Sequence, residues 1–388
     1  MAFEAARAMG EYHCTALQSG DIKNIMNKLM NIYITTGRKN LKYAYVAIKS
    51  LFVNNRSREI HLYVVSEDLT MDDMQYENAL AEQYGHHIHI LRFDEEKAGE
   101  YIHIDKGDHW PIGTMSSYWL FHELLPAEVD RIMVIESDTV VIGDLSEIYD
   151  MDFRDAYVIC PGPEHKPLNH RNFMQRIGGD TLTFVLSMYN VDKIRQDFTL
   201  RDILNTDEQV KKLAGYSQME FTFGLLFQDH IQYVAGKDSC IDENERYAEE
   251  LGYDYIAECE KTAKILHFSS YKDYSKPWNP VSIMPGYVTW WKYAQDSPYY
   301  KEYFEEQWKL YDQVKQEKET AAKNVSCRNI LLCTFVIYAI MTMIIIGCFA
   351  AALPVGIAIG LSAACVPLSV LLSMFIRKAA IWIGHAVR

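Results

Sequence analysis

The chain has 388 residues, more than one ordinary domain needs, and 49% of them are hydrophobic, which is enough to form a sizeable core. The net charge of −14 argues against a nucleic-acid binder, which needs a basic surface, so no nucleic-acid partner is expected. The charge is uneven: from Arg328 to the C-terminus there are four basic residues and no acid, whereas residues 1–327 hold 34 basic and 52 acidic residues.

Residues 1–29 lack strong periodicity and are interpreted as an N-terminal extension. From 30 to 285 apolar strands alternate with helical patterns, which predicts βαβ units and a parallel sheet covered on both faces. In one helix, Thr70 is the expected N-cap and Gly85 follows the last residue. The segment 161–181 is rich in Pro, Gly, Asn and His, which predicts a long loop. The predicted strands are 31–36, 59–66, 86–93, 132–135, 156–160, 182–188, 231–235 and 264–268, and the predicted helices are 41–55, 70–84 and 115–125.

The C-terminal part has a different character. Residues 286–327 are aromatic at first, then charged and helical, which fits an amphipathic helical stalk next to a membrane or helices packed against the domain. The 48 residues 329–376 contain no Asp, Glu, Lys, Arg or His, and one membrane span needs roughly 20 apolar residues. Residues 328–388 are therefore predicted to form a two-helix transmembrane hairpin with a short tail. Basic residues flank both outer ends, which predicts a cell-membrane protein whose main domain faces the cytoplasm.

Two carboxylates interrupt an apolar stretch in "RIMVIESDTVVIGDL", where Glu136 and Asp138 follow the run 132–135. In an extended segment, residues two apart point the same way, so both acids are expected to project together at the end of a strand. In open α/β sheets, ligands bind beyond the carboxyl ends of the strands. Hard oxygen ligands there suit Mg²⁺ or Mn²⁺, although a solvated acidic turn gives the same pattern.

The surroundings of these acids resemble glycosyltransferase family 8, the retaining, glycogenin-like and lipopolysaccharide-transferase group. The matching blocks are ELLP at 123–126, ESD at 136–138 and GDLSE at 143–147. Far downstream, "HFSSYKDYSKPW" is similar to the family's HF…KPW element, with His267 and Lys276 in the matching positions. The similarity covers about residues 30–310.

The resemblance implies an α/β GT-A fold, a Rossmann-like mixed sheet that binds a nucleotide-diphospho-sugar. It implies Mn²⁺ or Mg²⁺ as cofactor, with Glu136, Asp138 and His267 as ligands. It further implies a UDP-sugar donor. The positions that match donor-binding residues are Thr35, Thr36, Ser137 and Lys276. No catalytic residue can be assigned from the sequence.

Several positions depart from the family pattern. Glu136 replaces the first aspartate of the metal motif, and Tyr118 replaces an arginine that faces the donor. Residues 183–185 and 218–220 replace elements that carry polar groups for the sugar and the reacting carbon. Loss of a hydrogen bond to a buried polar group costs about 1–3 kcal/mol, so these changes affect the choice of donor or the activity. The residues considered as replacements are Glu220, Asp229 and His230.

The sequence therefore predicts a membrane-anchored, metal-dependent glycosyltransferase, similar to bacterial members of the family. Its expected acceptor is a cell-envelope glycan or a lipid-linked acceptor. The alternative is a catalytically impaired relative that acts as a non-enzymatic partner in a membrane glycan-assembly complex. The altered sugar- and base-binding positions motivate this alternative.

Overall fold

In a computed structural model, the structure describes residues 29–94, 96, 116–166, 168–269, 276–279, 282, 284–313, 315–320, 340 and 343. The chain divides into a larger unit, Met1–Glu305, and a smaller unit, Glu306–Arg388. Apart from Leu29, the predicted N-terminal extension 1–29 lies outside the described residues.

The larger unit alternates strands and helices in its first half and is more irregular afterwards. Its strands are β1 Leu29–Thr35, β2 Glu59–Ser66, β3 His87–Arg92, β4 Arg131–Val134, β5 Thr139–Val141, β6 Val158–Pro161, β7 Met188–Asn190, β8 Ile231–Val234, β9 Cys240–Asp242 and β10 Ile265–His267. Its α-helices are α1 Leu41–Asn54, α2 Gln75–Tyr84, α3 Ser146–Tyr149, α4 Leu168–Ile177, α5 Val191–Asp197, α6 Leu200–Ala214, α7 Met219–Leu226, α8 Glu245–Leu251, α9 Tyr253–Cys259 and α10 Tyr287–Ala294. A π-helical turn, Leu120–Leu124, continues a helical segment at 116–119 and ends before Pro126.

Seven strands form a mixed sheet in the order β3-β2-β1-β4-β7-β6-β8. The first four are mutually parallel, whereas β7 runs antiparallel to both β4 and β6. The predicted α/β sheet is therefore present, and its mixed character fits the expected GT-A fold. Three shorter strands form a second sheet in the order β5-β10-β9.

Alternating side chains of β1 pack into two different clusters of buried residues. Ile32 and Ile34 contact the cluster that contains Phe52 of α1, while Tyr33 lies in the cluster that contains Phe223 of α7. Helices thus cover both faces of the large sheet, as the strand-helix alternation predicted. This burial fixes which side chains emerge at the ends of the strands.

The end of the larger unit packs against α2. Tyr303 of the helical segment 300–305 is fully buried, and the Tyr299 hydroxyl donates a hydrogen bond to Glu77 Oε1 at 3.2 Å. Glu77 is fully buried on α2, and burial raises the pKa of its carboxyl group to about 7. Residues 286–305 of the predicted stalk thus pack within the larger unit. In the smaller unit, residues 306–313 and 315–320 are helical, and the predicted domain boundaries stay a prediction.

The predicted membrane location has to be corrected. Within the part of the chain that the structure describes, none of the helices is long and apolar enough to cross a membrane. This finding overturns the expected cell-membrane location with a cytoplasmic domain. The segment 328–388, where the transmembrane hairpin was expected, lies outside the described residues except for Ile340 and Met343.

Candidate functional site

Glu136 and Asp138 lie on the connection between the two sheets. The backbone leaves the large sheet after β4, where Ile135 N donates to Tyr33 O at 2.9 Å, and enters the small sheet at Thr139. The Thr139 hydroxyl donates to the Glu136 carbonyl at 2.7 Å and closes the turn. The apolar runs on either side of the acids therefore belong to two strands in different sheets. The acids follow the carboxyl end of β4, where open α/β sheets bind ligands.

Strand register brings His267 to this turn. It is the last residue of β10, opposite Thr139 of β5 on one side and Asp242 of β9 on the other. Its Nε2 atom lies 2.8 Å from Glu136 Oε2 and 3.6 Å from Asp138 Oδ1. One ligand atom from each of Glu136, Asp138 and His267 lies within 4.8 Å of the other two. The structure thus brings together the three residues that the sequence comparison selected as metal ligands.

Asp242 orients the imidazole of His267 from the opposite side. Its Oδ1 atom accepts a hydrogen bond from His267 Nδ1 at 2.6 Å, which leaves Nε2 directed at the two acids. Burial alone would lower the pKa of His267, but the carboxylates of Asp138 and Asp242 outweigh it and raise that pKa to about 10. The sequence analysis missed Asp242, which is the third residue of a three-residue strand.

Lys276 lies directly beside Asp138. Its Nζ atom is 2.5 Å from Asp138 Oδ2 and 2.5 Å from the Phe268 carbonyl oxygen. Burial would raise the pKa of Asp138, but Lys276 and His267 outweigh it, so this pKa lies below its ordinary value. The carboxylates of Glu136 and Asp138 therefore have His267 and Lys276 as cationic neighbours. Carboxylates in such a position can also hold a metal cation.

Behind His267, buried charges alternate in sign along a row that we call the buried ion row: His267, Asp242, Lys166 and Glu220. Lys166 Nζ lies 3.9 Å from Asp242 Oδ2 and donates to Glu220 Oε1 at 2.8 Å. Glu220 Oε1 also accepts the backbone N–H of Phe184 at 3.1 Å. The side chains of Lys166, Glu220 and Asp242 are only 7%, 14% and 4% exposed, so mutual pairing is what keeps them charged.

The pKa values in the buried ion row follow from that pairing. Burial would raise the pKa of Asp242, but Lys166 and His267 outweigh it and lower the pKa to about 2. Burial would lower the pKa of Lys166, but Glu220 and Asp242 hold it well above its ordinary value. Lys166 was another residue that the sequence analysis missed, since it lies in a Pro-rich loop without a recognisable motif.

The predicted donor-binding residues lie near the end of β1 and on the acid-bearing turn. The Thr35 hydroxyl donates to the Tyr33 hydroxyl at 2.6 Å, and the side chain of Thr36 is almost fully buried. Ser137 is half-buried between the two acids. Because β1 and β4 are parallel neighbours, Thr35, the last residue of β1, and Ser137, which follows β4, lie at the same edge of the large sheet.

The positions that depart from the family pattern are engaged within the fold. Tyr118, at the position of the family's donor-facing arginine, is fully buried, and its hydroxyl donates to Asp207 Oδ1 at 2.7 Å. Of the three replacement candidates, Glu220 lies in the buried ion row. Asp229 donates its backbone N–H to Asp180 at 2.8 Å, and His230 Nδ1 lies 3.5 Å from an Asp155 oxygen.

Comparison with known proteins identifies the family. The sequence profile described as "Glycosyl transferase family 8" matches residues 9–281 of this chain. The chain belongs to glycosyltransferase family 8. This match confirms the resemblance seen in the sequence and the expectation that the protein is a glycosyltransferase.

Curated relatives agree with this assignment at low identity. The lipopolysaccharide 1,2-glucosyltransferase of Escherichia coli is 22% identical over 244 residues, which cover 61% of this chain and 69% of that enzyme. The glycosyltransferase GlyF of Streptococcus pneumoniae is 22% identical over 253 residues, or 63% of this chain and 56% of GlyF. The chain thus spans little more than half of GlyF.

Solved structures share the fold. The galactosyltransferase LgtC, determined with donor and acceptor sugar analogs, superposes with a TM-score of 0.55 at 15% identity, over 69% of this chain and 96% of LgtC. The glycosyltransferase GlyE of Streptococcus pneumoniae superposes with a TM-score of 0.51 at 16% identity, over 68% of this chain and 60% of GlyE. The predicted GT-A fold is therefore confirmed. Enzymes of this family typically use a divalent metal, and Glu136, Asp138 and His267 form a group able to hold one.

Proposed function

We propose that this family 8 glycosyltransferase transfers a sugar from a UDP-sugar to a hydroxyl group of a glycan or lipid-linked acceptor. Mn²⁺ or Mg²⁺ would be the cofactor, with Glu136, Asp138 and His267 as its ligands. The observation that carries the proposal is the approach of these three side chains, with ligand atoms within 4.8 Å of one another at the carboxyl end of β4. Two carboxylate oxygens and one imidazole nitrogen are a donor set that suits Mn²⁺, and Mg²⁺ accepts the carboxylates.

A bound divalent cation supplies positive charge that stabilises the diphosphate as it departs. The protein residues arrange this charge. Asp242 holds His267 by Nδ1 so that the Nε2 lone pair faces the acids, and a ligand fixed in this way loses little freedom on binding. His267 releases its proton when it becomes a ligand, since only neutral imidazole binds metal.

Lys276 is placed to add a second positive charge beside the diphosphate. Its Nζ atom is held by Asp138 and the Phe268 carbonyl, both of which also position the turn that carries the acids. Phe268 N donates to the Asp138 carbonyl at 3.0 Å, which joins β10 to this turn. Thr35, Thr36 and Ser137 are proposed to contact the donor at the same edge of the sheet. Lys166 and Glu220 neutralise one another, so their proposed role is to hold Asp242, and through it His267, in position.

The proposed use of a UDP-sugar is tested most directly by measuring the release of UDP. Purified full-length protein would be incubated with each of several UDP-sugars and Mn²⁺ or Mg²⁺, and released UDP would be measured with and without mono- and disaccharide acceptors. Asp138→Asn is expected to lower turnover by about 100-fold or more, because the proposed cation would lose a carboxylate ligand, and with it the positive charge that stabilises the departing diphosphate. Asp155→Asn is the matched control, since the Asp155 side chain is 84% exposed and lies outside the cluster.

The proposal fails if no UDP-sugar is bound or turned over with any acceptor, and Asp138→Asn behaves like the parent protein in nucleotide binding. If UDP were released without a divalent cation, and Glu136→Gln released it equally well, the proposed metal site would be refuted. The proposed transfer reaction would still stand.

A further inference from the structure

A second group of metal-ligating side chains lies at the other end of the large sheet. Glu59 begins β2 and His61 follows two residues later, while His87 begins the edge strand β3 directly opposite His61. Residues two apart on a strand share a face, and the register adds the facing residue of the neighbouring strand. Glu59, His61 and His87 therefore point from one face at the amino ends of two parallel strands. The proposed donor site, in contrast, follows the carboxyl end of β4.

The distances from Glu59 to the two imidazoles match those of a tetrahedral metal site. Glu59 Oε1 lies 3.4 Å from His61 Nε2 and 3.3 Å from His87 Nε2, and all three ligand atoms lie within 4.8 Å of one another. In a tetrahedral Zn²⁺ site with ligand bonds of about 2.0–2.2 Å, neighbouring ligand atoms are about 3.3–3.6 Å apart. Little rearrangement is thus needed to hold an ion.

A third histidine, His89, contacts His61 on the side away from Glu59. His89 Nε2 lies 3.3 Å from His61 Nδ1, and the ring of His89 stacks on Tyr63 with centroids 5.0 Å apart and an interplanar angle of 23°. If His61 donates its Nδ1 proton to His89, the lone pair of His61 Nε2 is directed toward Glu59. A hydrogen bond to the second ring nitrogen is the usual way in which proteins fix a metal-ligating histidine.

We propose that Glu59, His61 and His87 form a binding site for a transition-metal ion of the Zn²⁺ type, with His89 as the residue that positions His61. Two imidazoles and one carboxylate favour Zn²⁺ over Mg²⁺ or Ca²⁺, which prefer oxygen ligands, and leave a fourth position for water. The ion would join β2 to β3 and so tie down the edge strand of the sheet. The Glu59, His61 and His87 side chains are 48%, 27% and 57% exposed, so an ion can reach them from solvent.

The competing explanation is a set of ion pairs between Glu59 and protonated imidazoles, with no affinity for metal. Zinc titration of the full-length protein, with a chromophoric chelator as competitor, separates the two. The parent protein is expected to bind one more Zn²⁺ per chain than either His61→Ala or His87→Ala, and Glu59→Gln is expected to weaken that additional site at least tenfold. Both histidines are at least partly exposed, so the variants should fold, which circular dichroism would check.

The matched control is His230→Ala. His230 is also a partly exposed imidazole, with 43% of its side chain exposed, and its Nδ1 atom lies 3.5 Å from an oxygen of Asp155. His230 belongs to neither group of metal-ligating side chains among the described residues, so replacing it should leave the zinc stoichiometry unchanged. A Co²⁺ titration gives an independent reading, because tetrahedral Co²⁺ absorbs visible light strongly, and His87→Ala should lose that band.

Equal stoichiometry and affinity in the parent, His61→Ala and His87→Ala proteins would overturn the proposal. So would an equal loss in His230→Ala, since binding would then be a general property of surface histidines. The variants leave Glu136, Asp138 and His267 intact, so UDP-sugar turnover of His87→Ala reports on the donor site independently of the zinc result.

Discussion

Replacing Asp242 by Asn tests how the second side of His267 is held. At neutral pH, Asp242 is ionised between Lys166 and His267, and these two cations outweigh its burial and lower its pKa from an ordinary value of 3.8 to about 2. One pKa unit corresponds to about 1.4 kcal/mol, so the folded protein favours this carboxylate by about 2 kcal/mol. Asn has nearly the same shape but no charge, so the variant loses this stabilisation.

The sign follows from the lowered pKa. A carboxyl whose pKa is lower in the folded protein stabilises the fold above its unfolded pKa, and the effect fades as the pH falls from about 4 toward 2. Asp242→Asn should therefore lower the free energy of unfolding by about 2 kcal/mol at pH 7, and by progressively less in acid. Because residues that orient a metal-ligating histidine typically contribute 10–100-fold to metal affinity, Mn²⁺ binding should weaken within that range.

Unfolding in urea, followed by tryptophan fluorescence, measures the first effect, and the paramagnetic resonance signal of free Mn²⁺ measures the second. Asp155→Asn serves as the control for an exposed carboxylate and should change neither quantity. If Asp242→Asn unfolded at the parent's urea concentration and bound Mn²⁺ with the parent's affinity, the orienting role of Asp242 and the charge argument would both be refuted.

Three further predictions concern the fold. Burial raises the pKa of Glu77 from 4.5 to about 7, so the free energy of unfolding of the parent protein falls as the pH rises from about 4.5 through 7. Glu77→Gln has no carboxyl group to ionise, so its stability relative to the parent should increase by about 3 kcal/mol between pH 4 and pH 8. Urea unfolding at both pH values measures this difference. Gly224→Ala would place a Cβ against the Asp180 carbonyl oxygen and should destabilise the fold by about 1–3 kcal/mol, measured as a lower urea midpoint, and an unchanged midpoint would contradict this packing. Tyr118→Phe removes a hydrogen bond to the buried carboxylate of Asp207 and should cost about 1.5–3 kcal/mol in the same assay, and a cost near zero would show that other donors compensate.

The long elements of the first half were predictable because each carries its own pattern. The predicted strand 59–66 has the bounds of β2, and the predicted helix 41–55 corresponds to α1 at Leu41–Asn54. Gly85 adopts a φ of 73° at the end of α2, as its prediction as a helix terminator requires. Thr70, in contrast, is not the N-cap: it exchanges hydrogen bonds with Asp73 in a turn, and α2 begins at Gln75.

The second half of the larger unit was harder to predict, because buried apolar residues there often lie outside helices and strands. Residues 182–186 are buried and mostly apolar, which suggested a strand, but Leu186 has a φ of 64° and the strand β7 begins only at Met188. The segment 161–181 was expected to be a loop, yet it contains α4, whose polar sequence hides its helical pattern. Strands of three residues, such as β9, are too short to show any periodicity.

Some residues of the candidate site could be predicted from the sequence and others could not. The family resemblance selected Glu136, Asp138 and His267 from sequence blocks, and the structure places them together. Asp242 and Lys166 could not be predicted from sequence blocks. Asp242 is placed beside His267 by strand register, and Lys166 by the conformation of a loop. Both are set by contacts between residues far apart in sequence, which no local pattern encodes.

The connection between the two sheets has a consequence for how the protein is made. Glu136 and Asp138 leave the ribosome well before His267, since β10 follows β5 by more than 120 residues. A growing chain that has completed the seven strands of the large sheet, through Val234, still lacks β10, the partner strand of β5, and β9 beyond it. During synthesis the acid-bearing turn therefore lacks His267 until β10 has emerged, and the proposed cation site can be complete only after that point.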